Sequence, residues 1–323
     1  MVRALVVRET GGPGVLTLED VPVGAPGPGE IRVRNRAIGL NFIDTYQRSG
    51  LYKLPLPFIA GNEGAGEVLA VGEGVTEFRP GDRIAYSGPV GAYAEERLLP
   101  AAKAVPVPDA VSFDTAAAAL LKGTTAFYLL HLTHEVKPGD TLLIHAAAGG
   151  TGQILVQWAK ALGATVIATA GGAEKVALAK AAGADLAIDY RSEDFVAAVK
   201  AATKGRGVDV VYDGVGQATF EPSLDCLRPR GLMVSFGNAS GPVSIPRLTI
   251  LAEKGSLYVT RPTTAAYLGT PETLREAATR LFDMIALGKV KVPVTNRWRL
   301  DDAAEAHRAL EARETTGAGV ILV

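Results

Sequence analysis

The residues best suited to chemistry fall in a few short stretches. The first is Ala147-Ala148-Gly149-Gly150-Thr151-Gly152. It follows the apolar run at residues 141–145 and precedes a helical pattern that puts Ile154, Leu155, Trp158, Ala159 and Leu162 on one side. Without a β-carbon, glycine lets backbone approach a pyrophosphate, and the first N–H groups of a helix point at the anion without partners of their own. Strand, glycine turn and helix together are the setting in which such a turn binds a dinucleotide rather than merely reversing the chain. The second stretch runs from Asn41 to Tyr52 and includes Asp44, Tyr46 and Arg48. It is unusually polar for a segment beside a buried strand, and chemistry alone reads it as a surface loop of Asx-turn residues. The others are Lys122-Gly123-Thr124-Thr125, Asp213-Gly214-Val215-Gly216 and Phe236-Gly237-Asn238. The last two lie at carboxyl ends of expected strands, the edge where open α/β sheets bind ligands. Each has a plainer reading: a threonine hydroxyl bonded back to its own helix, or a glycine turn.

Some chemistries are missing. Zinc needs clustered Cys, His or carboxylate ligands. The four histidines are His131, His134, His145 and His307, and Cys226 is the only cysteine. Only His131 and His134 are close in sequence, so a metal-free protein is expected. No Ser-His-Asp set or carboxylate pair is visible. Hydride transfer requires neither, because the cofactor carries the reactive hydrogen and the protein supplies orientation.

The elements that must position these residues follow from periodicity. Residues 1 to about 100 read as short strands divided by Gly/Pro clusters, with Ile31, Val33 and Ala37 alternating with Arg32, Arg34 and Arg36. Strands are expected at 4–7, 16–21, 30–38, 64–71, 82–86 and 92–99. A helix is expected over 116–132. Strand-helix pairs of about 22 to 25 residues then follow, with apolar strands, which is the pattern of a doubly wound parallel sheet. Residues 271–287 read as an amphipathic helix, and 292–323 as strand, helix and strand.

The glycine stretch, with Asp140 and Leu143 before it and Gln157 and Lys160 after it, resembles the signature of the quinone oxidoreductase (zeta-crystallin) family of medium-chain dehydrogenases/reductases. The usual Val before the last Gly is Thr151 here. The likeness covers nearly the whole chain. It implies a mostly-β GroES-like catalytic domain, discontinuous over 1–121 and 262–323, and a Rossmann domain over 122–261. Residues 41–52 match the family motif Asn-x-x-Asp followed by Arg-x-Gly-x-Tyr. Carried over, Asn41 lies by the nicotinamide and Tyr52 lines the substrate cleft, with Tyr46 a further candidate. Thr125, Gly149, Gly150, Thr151, Gly152, Phe236 and Asn238 fall on cofactor-contacting positions. Asn62 stands where zinc-dependent relatives carry His, and their Cys-rich zinc segment is missing.

Cofactor choice has its own signal. NAD enzymes of this architecture place Asp or Glu at the tip of the second strand, on the ribose 2′-OH. Here that strand ends Thr169-Ala170-Gly171-Gly172, which favours NADPH. The resemblance puts Lys175, Tyr190 and Arg313 around the 2′-phosphate. It implies an NADPH-dependent quinone reductase, or an enone/2-alkenal reductase, and a homodimer paired through the last sheet strand. A non-enzymatic NADPH-binding protein is the rival from another class. Net charge of -1 and a pI near 6.5 give no electrostatic case for nucleic acid or an anionic membrane. No apolar run is long enough for a membrane helix. A single cysteine excludes a disulfide within the chain and points to a reducing, cytoplasmic setting.

Overall fold

The computed structural model describes residues 1–323. They divide into two compact units, 1–124 with 270–286 and 292–323, and 125–269 with 287–291. The boundary after Thr124 falls inside the helix Phe113–Tyr128.

The first unit is mostly β. Its larger sheet runs Val294–Arg299, Ala318–Leu322, Glu30–Gly39, Glu63–Val71, Arg83–Ser87, Ala104–Pro106, and Glu96–Pro100 also pairs with Glu30–Gly39. A smaller sheet joins Leu16–Val21, Val2–Val7 and Phe58–Ile59. The alternation along Glu30–Gly39 has its expected cause. Ile31 and Val33 enter the core, while Arg32 and Arg34 pair with Glu96 and Arg36 pairs with Glu67 on the wet face. A second core of this unit packs Ala37, Ala65 and Val320 against Ala117 and Leu120 of Phe113–Tyr128 and Phe282 of Pro271–Ala286.

The second unit is a Rossmann-type sheet of six parallel strands. Their order is Leu186–Asp189, Thr165–Ala170, Thr141–Ile144, Val208–Asp213, Leu227–Ser235, Tyr258–Thr260. The order reverses direction beside Thr141–Ile144, so the glycine turn that follows this strand sits at the switch point where dinucleotides bind.

The structure corrects two expectations. Residues 41–52 are not a surface loop: Phe42–Arg48 is a helix with buried polar residues. The strand expected over 92–99 begins only at Glu96, because Tyr93 N–H bonds Ala60 and the N–H groups of Gly91 and Ala92 both bond the Gly61 carbonyl. By compactness residues 122–124 group with the β unit, and 262–269 and 287–291 with the nucleotide-binding sheet. Tyr267 stacks on Tyr128 at 5.1 Å, and the Gln157 amide exchanges two hydrogen bonds with the Lys291 backbone.

Candidate active site

In the first unit the site is built around the helix Phe42–Arg48. Asn41 is extended at its N-cap, and its N–H donates to Asp44 Oδ2 at 2.9 Å, one half of a capping box. Gly50, at φ +84°, turns the chain out after the helix. Tyr52 N–H then returns to the Tyr46 carbonyl, and the two rings meet edge to face at 5.3 Å. Tyr46 and Tyr52, both expected at the substrate, are thus one aromatic unit.

The inward side of this helix is polar, and every group on it finds a partner. Asp44 is 1% exposed. Its Oδ1 accepts from the Asn62 amide at 2.7 Å, and its Oδ2 accepts from Asn41 N–H and from Tyr93 O–H at 3.1 Å. Burial pushes its carboxyl up to about 6, against the pull of these donors and of nearby Lys122. Gln47 clasps Asn62 through both ends of its amide. Arg48 does not pair with Asp44. It donates to the Gly11 carbonyl, to both oxygens of Glu311 and to His307 Nδ1 at 3.1 Å. His307 Nε2 lies 2.9 Å from Tyr93 Oη. Burial, with Arg48 beside it, brings the His307 imidazole down to about 3, so it is neutral.

Asn41 carries a second set of contacts. Its amide donates to Glu63 Oε2 at 2.7 Å and to the Gly39 carbonyl at 3.3 Å. Glu63 is fully buried and also takes Leu121 N–H at 2.6 Å and Lys122 Nζ at 3.2 Å. Asn41 therefore links two buried carboxylates, Asp44 through its backbone and Glu63 through its side chain.

In the second unit Gly149 caps the helix Gly150–Ala161, whose first turn includes Thr151 and Gly152. A methyl group at Gly152 would lie 2.3 Å from the Ala146 carbonyl, so glycine is what allows this helix to pack so near the strand end. Phe236 and Asn238 follow the strand Leu227–Ser235, and Phe236 N–H bonds the Asp213 carbonyl. Asp213 forms a turn: its Oδ1 takes Val215 N–H, Gly216 N–H and the Thr219 hydroxyl. Thr124 has its hydroxyl on the Leu120 carbonyl. Thr125, next to it and 7% exposed, is the first residue of this unit.

At the tip of Thr165–Ala170, a methyl group at Gly171 would sit 2.6 Å from Tyr190 Oη and 3.1 Å from Arg191 Nε. Lys175 is in the first turn of the adjoining helix Ala173–Ala181. Asp189 spends its Oδ1 on the N–H groups of Gly172 and Arg191, which hold its carboxyl below the usual range. The tip thus joins a bare glycine pair to Tyr190, Arg191 and Lys175. Arg191 escaped the sequence reading, though it directly follows Tyr190. Asn62, Glu63, Tyr93 and His307 were not assigned to the site either, because nothing local ties them to Asp44. Arg313, expected beside Lys175 and Tyr190, belongs to the other unit and stands at φ +60° just after the helix Ala303–Glu311. No group of three or more His, Cys, Asp or Glu side chains is arranged to hold a metal ion.

Residues 27–109 match the alcohol dehydrogenase GroES-like domain and residues 150–283 the zinc-binding dehydrogenase domain. A quinone oxidoreductase of Pseudomonas aeruginosa is 53% identical over 324 residues, covering all of both chains. The chain belongs to the quinone oxidoreductase family. Within the medium-chain dehydrogenases/reductases it shares 46% identity with a 2-haloacrylate reductase of Burkholderia, over all of this chain and 99% of that one. The crystal structure of the Escherichia coli quinone oxidoreductase complexed with NADPH superposes with a TM-score of 0.98 at 50% identity, covering 99% of this chain and all of that one. As in its family, the chain couples a GroES-like β unit to a Rossmann-type unit.

Proposed function

We propose that this protein is a zinc-independent, NADPH-dependent quinone reductase. The carrying observation is the tip at Gly171, with Tyr190 and Arg191 against it and Lys175 in the next helix turn. Two cations and a phenol fit a 2′-phosphate, and no side chain projects from the glycine pair to repel it. Gly149 to Gly152 supply the helix terminus for the pyrophosphate. Thr125, Phe236 and Asn238 are assigned to the nicotinamide half, and Arg313 to the 2′-phosphate. When bound, NADPH supplies a hydride from nicotinamide C4. In the β unit Asn41 is held between Asp44 and Glu63. Tyr46 and Tyr52 offer an aromatic face for a planar quinone and hydroxyls for a reduced oxygen.

The test is NADPH oxidation with benzoquinones, naphthoquinones and 2-alkenals after exhaustive chelation. Full activity on quinones is expected. Activity lost with stoichiometric zinc and restored by adding it back would reject the metal-free reading. Tyr52→Phe should lower turnover or raise KM for the quinone and leave NADPH affinity nearly unchanged. Parental turnover with every acceptor would remove Tyr52 from the site. The 46% identity to a 2-haloacrylate reductase favours a second reading, an enone/2-alkenal reductase, since a conjugated acceptor polarised by a carbonyl takes hydride in the same way. Faster turnover of the alkenals would select it. No turnover of any acceptor, with NADPH still bound, would leave an NADPH-binding protein.

We further propose a homodimer. The strand Tyr258–Thr260 ends the parallel sheet, and Tyr258 on it is 61% exposed. An open edge of this kind pairs readily with a copy of itself across a two-fold axis. Sedimentation at micromolar concentration should give twice the chain mass, and a monomer throughout would refute it. A reducing, cytoplasmic location suits Cys226, whose thiol is buried and pushed up to about 12. No helix is long and apolar enough to cross a membrane.

A further inference from the structure

We propose that Asp44 is a positioning residue whose ionised carboxylate holds Asn41 and the helix Phe42–Arg48 in their working arrangement, so that its protonation produces the acid limb of the reaction. The proposal deepens the reductase reading and rests on it for the kinetic part only.

The geometry carries the argument because the hydrogen bonds run in one direction. Arg48 has donors and no acceptor, so His307 Nδ1, 3.1 Å from Arg48 Nη1, accepts. Neutral His307 therefore carries its proton on Nε2 and donates to Tyr93 Oη at 2.9 Å. The Tyr93 hydroxyl proton is left for Asp44 Oδ2 at 3.1 Å. Asn41 N–H reaches the same oxygen, and the Asn62 amide reaches Oδ1. Asp44 is thus the terminal acceptor of a chain that begins at a permanent cation.

Two consequences follow. The chain cannot carry a proton to solvent, because its outer link is a guanidinium that stays charged. A protonated Asp44 can give its hydrogen only to Tyr93 Oη, whose own proton must then turn away from the carboxyl, since the Gln47 Oε1 nearby is held by Asn62 at 2.6 Å. Protonation thus removes the Tyr93 donor and the negative charge together, which weakens the bond from Asn41 N–H, the N-cap of the helix that bears Tyr46. The charged and titratable groups around Asp44 come from several elements: Tyr93 from the segment after Gly91, His307 and Glu311 from the helix Ala303–Glu311, Arg48 from its own helix, and Glu63 and Lys122 through Asn41. Of these, Lys122 lowers the Asp44 carboxyl and burial raises it, leaving it near 6, where protonation falls within a usable pH range.

The test follows Asp44 by carbon-13 NMR of its labelled carboxyl, from about pH 8 to pH 5. Tyr46 is followed in parallel by a ring-fluorine resonance. Both titrations should share one midpoint near 6. The turnover number for quinone should fall with that midpoint as pH drops, while KM for NADPH stays level. Tyr93→Phe keeps the ring and removes one donor to the carboxylate, so all three midpoints should move up by about one pH unit. Asp44→Asn should leave a flat, lowered profile. An Asp44 titration that leaves Tyr46 and turnover unmoved would overturn the proposal, as would an acid limb that stays put in Tyr93→Phe. Should the protein reduce no acceptor at all, the reductase reading fails by itself, and the shared Asp44 and Tyr46 midpoint still decides whether Asp44 positions the helix.

Discussion

Lys175→Ala is expected to weaken NADPH binding by roughly ten- to a hundredfold and to leave NADH almost untouched. A hydrogen bond to a charged group is worth roughly 1.5–3 kcal/mol, and each 1.4 kcal/mol is about tenfold in affinity. Lys175 is half-buried in the first turn of Ala173–Ala181, so solvent screening puts the loss toward the lower end. Arg191→Ala should show the same preference for NADPH, because its guanidinium borders the same glycine. Titrating both cofactors into both variants decides the matter. Equal losses for NADPH and NADH would show that neither side chain reads the 2′-phosphate.

Lys122→Met should destabilise the β unit by about 3–5 kcal/mol, the usual effect of stranding one member of a buried ion pair. Glu63 is fully buried and Lys122 is 6% exposed, so water cannot replace the lost ammonium. The carboxylate would keep Leu121 N–H and the Asn41 amide, which soften the loss without neutralising the charge. Adding Glu63→Gln removes the stranded charge, and the double variant should recover more than half of the loss. Urea unfolding followed by a probe in the β unit measures each step. A single-variant loss under about 1 kcal/mol, or a double variant no better than the single, would mean the pair contributes little.

The two units were not equally legible in the sequence. The parallel sheet announced itself because its strands are apolar on both faces and its glycine turn has a steric cause, seen at Gly152. The alternating Ile and Arg residues of Glu30–Gly39 were legible for the same reason, since one face is dry and the other wet. The helix Phe42–Arg48 was not, because periodicity detects a buried face by its apolarity and this face is Asp44, Gln47 and Arg48. What makes such a face tolerable inside the protein comes from far along the chain: Asn62 lies 18 residues from Asp44, Tyr93 lies 49 away, and His307 lies 259 from Arg48. No local rule joins them. Arg191 was missed for a smaller reason, since a basic residue after a strand is ordinarily a solvated one.

The discontinuity of the β unit bears on how the protein is made. Ala318–Leu322 lies inside the larger sheet, between Val294–Arg299 and Glu30–Gly39, and His307 closes the chain of bonds to Asp44. A nascent polypeptide that has reached residue 269 holds nearly all of the nucleotide-binding unit, yet it lacks two segments of the unit it began with. Domains generally fold in the order of synthesis, and here that order is inverted: residues 1–124 must wait for 270–286 and 292–323, which follow the nucleotide-binding segment. Until then the strand Glu30–Gly39 has an unpaired edge where Ala318–Leu322 will dock, and Asp44 and Arg48 lack the helix that completes their bonding. That exposed edge is a surface on which another strand could pair before the native one arrives.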